Sequence, residues 1–321
     1  MKIRSRFRIT GTGRAIPERL MTNKDFEKIL DTSDEWIQRR TGIKQRYFVK
    51  EKNEFSTSRL ATQASKKALE MAGLKPEDIE LIIVGTLTGD TVLPSTAVLV
   101  QRDLGANNAL AFDVSAACAG FVLSLDIAAQ FISHNRAQKT LVIGAEVLSR
   151  YTTWKQRETD VIFADGAAAA VLETTPDDAG LIESTAASDA NFWNAIYIPG
   201  FDGPRPQTVN LDGKNVFKQA VKYISESTLK VLMKADIPLE KVDHFLFHQA
   251  NIRINEAIAE KLNIPLHKVH SNIHKYGNTS AASVPILLDE LNREGKIKKG
   301  ELVLFGALGS GLIYGTSLLR W

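Results

Sequence analysis

Two stretches far apart in the chain read as copies of one unit, and this limits the available folds more than any other feature. Ala72-Gly-Leu-Lys-Pro-Glu-Asp-Ile-Glu-Leu-Ile-Ile-Val-Gly85 follows a helical pattern over 58–72 and ends in a short apolar run. Ala235-Asp-Ile-Pro-Leu-Glu-Lys-Val-Asp-His-Phe-Leu-Phe-His248 follows a helical pattern over 216–234 and ends in the same way. The order then continues in parallel. A helix (94–104 and 252–262) comes next, then a strand-like segment reaching a turn of small residues at Cys118 or Asn278. A second helix (behind Cys118, and 284–294) and a further strand (140–144 and 301–306) complete each copy.

Strands alternating with helices imply an α/β fold with a mainly parallel sheet covered by helices. The segment 163–172 closes the first copy, and 173–215, richer in Pro, Gly and Asp, connects to the second. A boundary near 175 separates an N-terminal half, 1–175, from a C-terminal half, 176–321. Ahead of the repeat, 7–11 reads as a strand leading into Gly11-Thr-Gly13. Thr22 with Asp25, and Thr32 with Glu35, mark two helix starts, the second helix carrying Trp36, Arg39 and Arg40 before Gly42 ends it. The Gly11/Gly13 pair lacks the third glycine and following helix of a dinucleotide fingerprint and reads as a turn.

Forty basic against 37 acidic residues leave a net charge of +3 over 321 residues, which favours neither a nucleic-acid partner nor an acidic one for the molecule as a whole. The single cysteine excludes an internal disulfide and a Cys-rich metal site, and suits a reducing compartment, so the cytoplasm is the expected location. No run approaches the ~18 apolar residues of a membrane span, and the start has no long apolar leader segment.

That cysteine, Cys118, lies in Asp113-Val-Ser-Ala-Ala-Cys-Ala-Gly-Phe121, where a strand-like run meets an apolar helix. Unpaired N–H groups at a helix start ease ionisation of a thiol and make it a better nucleophile. The alternative is a small buried hydrophobe. The following helix is apolar nearly all round, as expected for one buried between layers. The repeat puts His248 and Asn278 at strand ends comparable to that of Cys118, where open α/β sheets build their sites. Cysteine supplies a nucleophile, histidine a proton carrier or donor, and asparagine a neutral donor for an oxyanion. Taken singly, His248 reads equally as a core histidine, and Asn278 after Gly277 as a turn residue. Histidines 134, 244, 267, 270 and 274 have no such placement, and no acidic or histidine pair has metal-ligand spacing beside these residues. Gly306-Ala-Leu-Gly-Ser-Gly311 is a glycine-rich loop whose N–H groups suit an oxyanion hole or simply a tight turn.

These motifs, together with His248-Gln-Ala-Asn-Ile-Arg253, Gly277-Asn-Thr-Ser-Ala-Ala-Ser-Val-Pro285 and Asp31-Thr-Ser-Asp-Glu-Trp-Ile-Gln-Arg-Arg-Thr-Gly-Ile43, resemble in collinear order those of the β-ketoacyl-[acyl-carrier-protein] synthase III family. The resemblance implies a thiolase fold, two duplicated halves in a layered α-β-α-β-α sandwich. It implies an acyltransferase that starts type II fatty-acid synthesis, in which Cys118 takes an acyl group from acyl-CoA. His248 and Asn278 then assist decarboxylation of malonyl-[acyl-carrier protein], and a Claisen condensation releases a 3-oxoacyl-carrier protein. Acyl-CoA is a substrate, and no separate cofactor or metal is implied.

By the same resemblance, the backbone N–H groups of Cys118 and Ser310 form the oxyanion hole. Trp36 and Arg157 sandwich the adenine of CoA, Arg40 lies near its phosphates, and Asn251 lies near the pantetheine arm. Arg253, with Lys218 on a lysine row, receives the carrier protein, and the protein is a homodimer. Two departures from the family pattern stand out: Leu93 and Leu308 replace aromatic residues expected at the acyl pocket, Leu93 partly across the dimer interface. A specialised relative making a secondary metabolite or transferring an acyl group to another acceptor, and a catalytically silent acyl-CoA or carrier-protein binding module, are the alternatives. Thiolase proper lacks support because its second cysteine is absent.

Overall fold

The chain passes twice through the same strand order. The structure is a computed structural model describing residues 3–50, 56–200 and 207–321. Its first half runs β1 (Ser5–Ala15), β2 (Arg19–Thr22), α1 (Asn23–Glu27), α2 (Asp34–Thr41), β3 (Gln45–Phe48), α3 (Ser56–Ala72), β4 (Leu81–Gly85), α4 (Thr96–Leu104), β5 (Leu110–Val114), α5 (Gly120–Ser133), β6 (Lys139–Val147), α6 (Arg157–Asp160) and β7 (Asp165–Thr174). The second half runs β8 (Gly180–Ser188), β9 (Ile196–Tyr197), β10 (Asn210–Leu211), α7 (Gly213–Ala235), β11 (His244–Phe247), α8 (Ile252–Leu262), α9 (Ile273–Tyr276), α10 (Ser283–Arg293), β12 (Leu302–Gly309) and β13 (Ile313–Arg320).

Among the described residues, nine strands form one continuous sheet in the order β11-β12-β13-β8-β1-β7-β6-β4-β5. Read outward from β1, the first half is β1-β7-β6-β4-β5; read outward from β8, the second is β8-β13-β12-β11. Val269, bridged in parallel to Phe245, stands where the last strand of the second set would lie. Within the sheet, the halves meet through Ser5 and Arg6 of β1 against β8. The sheet is mixed rather than mainly parallel. β4 pairs in parallel with β5 and β6, and β11 with β12, but each half returns through antiparallel strands, β7 and β1 or β13 and β8. No periodicity marks that reversal, because strands buried on both faces look alike whichever way they run. The stretch 173–215 is likewise more than a connector, since it contains β8, the first strand of the second half; its residues 201–206 lie outside the described ones.

Side-chain alternation along the strands sorts the molecule into five layers. Ile82, Val84, Leu141 and Ile143 face α3 and α4. Leu81, Ile83 and Val142 face the opposite way, onto α5 and α10, which also cover Leu246, Val303 and Phe305 of the second half. Phe245, Phe247 and Leu304 point outward beneath α7 and α8. Helices α5 and α10 therefore form a central layer enclosed by sheet on both sides, which explains why α5 carries Phe121, Leu125 and Ala128 with no exposure. Burial at about 25 cal/mol per Å2 of apolar surface makes this doubly covered layer the main source of stability holding the halves together.

Candidate active site

Cys118 follows β5 in a single 3-10 turn, Ala117–Ala119, that runs directly into α5. Ala117 holds the left-handed φ of 45°, a conformation that costs a non-glycine residue free energy and persists only where surroundings enforce it. Gly309, at the end of β12, supplies part of that enforcement. A Cβ there would sit 2.7 Å from the Ala116 carbonyl oxygen and 2.8 Å from the Cys118 nitrogen. Asp113, which opens the cysteine motif, accepts from the N–H groups of Thr96 (2.7 Å) and Ala97 (2.8 Å) and so caps α4. The thiol is partly accessible, and burial pushes it up to about 12. This corrects the expectation of an easily ionised thiol: desolvation by the enclosing layers outweighs the pull of the helix start.

His248 follows β11, its N–H bonded to the Gly306 carbonyl at 2.8 Å. Its Nδ1 lies 2.6 Å from the Ser283 hydroxyl, which also accepts from the Gln249 N–H at 3.3 Å. Nδ1 is the one acceptor within reach of the Ser283 proton among the described residues, so the hydroxyl donates to it, and the ring carries its own proton on Nε2. Burial pulls the imidazole down to about 3, which keeps it neutral. Asn278 follows Gly277, whose φ of 66° turns the chain, and is held by its N–H to the Ile162 carbonyl (3.0 Å) and by its carbonyl to the Ala164 N–H (2.9 Å). Its Oδ1 accepts from the Ser280 N–H at 2.8 Å, leaving Nδ2 as the unengaged donor. Two neutral N–H donors, one ring and one amide, are thus oriented by their own neighbours.

A cavity of about 530 Å3 brings Cys118, His248, Asn278, Asn251, Leu308 and Ser310 together. The Ser310 N–H makes no hydrogen bond among the described residues, while its hydroxyl donates to the Ile196 carbonyl. Three polar residues around this site were not singled out from the sequence. Ser283 sets the histidine tautomer. Glu146, fully buried, accepts from Thr88 Oγ1 at 2.7 Å and from the Leu87 N–H at 3.2 Å. Ser280, with φ 49°, has its hydroxyl beside both Cys118 and Glu146 but in a full hydrogen bond with neither. Burial pushes the Glu146 carboxyl up to about 7. Its position near the C-terminal end of β6 reads from sequence as one polar residue in an apolar run, and the loops it bonds come from elsewhere in the chain. No group of three or more His, Cys, Asp and Glu side chains among the described residues is arranged to hold a metal, and no described helix is long and apolar enough to cross a membrane.

The remaining candidates lie outside the cavity. Helix α2 is capped by Ser33, which accepts from the Trp36 N–H at 3.1 Å, rather than by Thr32, and it ends at Gly42 with φ 79°. On it, the Trp36 ring has two guanidinium groups over it, Arg40 at 5.4 Å and Arg157 at 5.2 Å from its centroid. A planar base entering between Trp36 and Arg157 has to displace the arginine. Asn251 joins this cluster to the cavity, donating through Nδ2 to the Arg40 carbonyl (2.8 Å) while its Oδ1 accepts from the Arg253 N–H (3.0 Å) to cap α8. Arg253 is exposed, its guanidinium 5.9 Å from the Phe217 ring on the cavity wall, and Lys218 is exposed on α7. Leu93, expected at the pocket partly from across a dimer interface, stands apart from the cavity of its own chain. It is 84% exposed and does not line the cavity, because the loop before α4 carries it away from Cys118 of its own chain.

Comparison with known proteins agrees with this geometry. The family model for 3-oxoacyl-[acyl-carrier-protein (ACP)] synthase III matches residues 112–190, and the model for the C-terminal part of that enzyme matches residues 232–321. The chain is 46% identical to β-ketoacyl-[acyl-carrier-protein] synthase III of Caldanaerobacter subterraneus subsp. tengcongensis, over 98% of this chain and 97% of that protein. The crystal structure of 3-oxoacyl-[acyl-carrier-protein] synthase III from Aquifex aeolicus superposes with a TM-score of 0.93 at 45% identity, covering 99% of this chain and all of the other. The priming β-ketosynthase of the R1128 polyketide pathway superposes with the same score at 31% identity, covering 100% of this chain and 98% of the other. With its motifs, its thiolase fold and near-complete coverage in agreement, the chain belongs to the β-ketoacyl-[acyl-carrier-protein] synthase III family.

Proposed function

We propose that this protein condenses an acyl-CoA primer with malonyl-[acyl-carrier protein], giving 3-oxoacyl-[acyl-carrier protein], CO2 and free CoA, and so starts fatty-acid synthesis. The observation that carries the reading is the meeting of one thiol and two oriented neutral donors in a single cavity. The Cys118 sulfur attacks the thioester carbonyl. Its bond to the CoA sulfur breaks, and CoA leaves with the proton of the thiol. The malonyl thioester then loses CO2, and the electron pair of the broken C–C bond moves onto the thioester oxygen. Nε2–H of His248 and Nδ2–H of Asn278 are the donors for that oxygen, and neither has to change protonation state to act. The resulting carbanion attacks the acyl-Cys118 carbonyl, for whose oxygen the N–H groups of Cys118 and Ser310 are the donors; the C–S bond then breaks, and the departing Cys118 thiolate takes up a proton from solvent to restore the thiol.

Trp36, Arg40 and Arg157 are the stacking and cationic groups for the CoA nucleotide, and Arg253 and Lys218 for an acidic carrier protein. A homodimer built on β5 fits the same reading. That strand is an open sheet edge, with Leu110 53% exposed and Leu93 and Val92 projecting nearby, so Leu93 of one copy can reach the pocket of the other. A cytoplasmic location and the absence of a separate cofactor belong to this reading too. Incubation with acetyl-, branched- and longer acyl-CoA should add an acyl mass to the protein but not to Cys118→Ala, and malonyl-[acyl-carrier protein] should convert the adduct to a 3-oxoacyl product. An adduct that persists on Cys118→Ala, or no 3-oxoacyl product from any primer, would refute the proposal.

A further inference from the structure

The thiol proton of Cys118 has no acceptor in the two neutral donors of the site. Nδ1 of His248 takes the Ser283 proton and Nε2 carries its own, so the neutral ring has no free lone pair. Oδ1 of Asn278 already accepts from the Ser280 N–H, and an amide oxygen is too weak a base to take up a proton. Burial nevertheless keeps the thiol protonated, and the sulfur has to shed that proton as it attacks.

A single 3-10 turn, Ser280–Ala282, lies between β6 and the start of α5. Two glycines admit it. A Cβ on Gly144 would sit 2.2 Å from the Ala281 carbonyl oxygen, and one on Gly120 would sit 3.2 Å from the Ala281 Cβ. Ser280 opens this turn with φ 49°, and its buried hydroxyl stands beside the Cys118 thiol and the Glu146 carboxyl, in a full hydrogen bond with neither. A hydroxyl between a donor and a base can accept one proton while it gives up its own.

We propose that Ser280 carries the Cys118 proton to the Glu146 carboxylate as the acyl group is loaded. This rests on the condensation reading. As the sulfur bonds to the thioester carbon, its proton passes to the Ser280 oxygen and the Ser280 proton passes to the carboxylate. When the bond to the CoA sulfur breaks, the same path in reverse returns a proton to that sulfur, and CoA leaves as the free thiol. The carboxyl, at about 7, is divided between its two forms near neutral pH, as a general base requires. The titratable groups facing it are Cys118 and the Tyr151 phenol, and Arg150, the cation beside Tyr151, is paired with Asp90 at 2.6 Å. His248, drawn down to about 3, does not titrate in the same range.

Acylation of Cys118 by acetyl-CoA in a single turnover, and its alkylation by iodoacetamide, are to be followed by intact mass from about pH 5 to about pH 9 in the native protein, Glu146→Gln, Ser280→Ala and Ser280→Gly. Glycine suits the left-handed φ at 280, so a loss shared by both Ser280 variants does not come from the backbone. The native rates should rise about ten-fold per pH unit up to about 7 and then level, while each variant reacts about a hundred-fold more slowly at that point and rises without a break. Charge alone has the opposite sign: a carboxylate beside the sulfur holds the thiol proton more tightly, so its removal would speed both reactions. A faster Glu146→Gln protein, native rates with no break near 7, or unchanged rates in both Ser280 variants would overturn the relay. Failure of the condensation reading shows separately, since the native protein would then form no acyl adduct while the break in its alkylation remained.

Discussion

Replacing Glu146 with Gln should raise the stability of the protein by an amount that depends on pH. The carboxyl is fully buried, bonded to Thr88 and Leu87, and pushed from an ordinary 4.5 to about 7, desolvation being the largest cause. At roughly 1.4 kcal/mol per pH unit, the displacement amounts to about 3 kcal/mol, and full enclosure leaves no solvent screening to reduce it. Below pH 4.5 the folded and unfolded chains both hold the proton, and the group contributes no pH dependence. Between 4.5 and about 7 the unfolded chain releases the proton while the folded chain retains it, so stability falls as pH rises. Above 7 the full cost is present.

The glutamine side chain of Glu146→Gln would retain a neutral hydrogen-bonding end without a titration. Urea unfolding of both proteins at about pH 5 and about pH 8 should therefore show the variant gaining about 2–3 kcal/mol on the native protein between the two conditions. His248, drawn down to about 3 by burial, has the opposite trend, costing stability as pH falls below its ordinary 6.5. It is present in both proteins and cancels from the difference. A stability difference that is the same under the acidic and the alkaline condition would refute the argument, since Glu146 would then not titrate between them.

Gly309→Ala places a methyl group against the backbone leading into the nucleophile, and should slow acyl loading and iodoacetamide labelling of Cys118 by about a hundred-fold or more without unfolding the protein; unchanged labelling would remove the role given to that contact. Ser283→Ala deprives His248 of the donor that fixes its tautomer, so condensation should slow about ten-fold while acylation of Cys118 by acyl-CoA is retained, as stopped-flow and intact-mass measurements would separate. Asn278→Ala removes a donor outright and should lower kcat for condensation by about a hundred- to a thousand-fold with the acyl adduct still formed.

Cys118, His248 and Asn278 were legible in the sequence because the repeat sets Cys118 against Asn278 and puts His248 directly after β11, the counterpart of β4, and composition alone would have left each a core or turn residue. Trp36, Arg40 and Arg157 became legible only through resemblance. An aromatic and two cations on short helices carry no signal of meeting one another until Arg157, from far along the chain, stacks on the indole. Leu93, whose expected role lies partly across a dimer interface, makes no contact with the cavity of its own chain.

What the amino-acid order determined by itself was local and periodic: where the strands and helices of the repeated unit lie, that the unit repeats, and which three polar or reactive residues follow its strand-like segments. These follow from backbone geometry and side-chain alternation, which act over a few residues. What only the tertiary structure decided was everything requiring distant segments to meet. The reversal of strand direction in each half, the protonation of His248 set by Ser283, the suppressed ionisation of Cys118 and the raised carboxyl of Glu146 all arise from desolvation and partners brought from other layers. Burial and hydrogen bonding act through space, so the cysteine at the helix start becomes a desolvated, neutral thiol only once α5 lies between the two halves of the sheet.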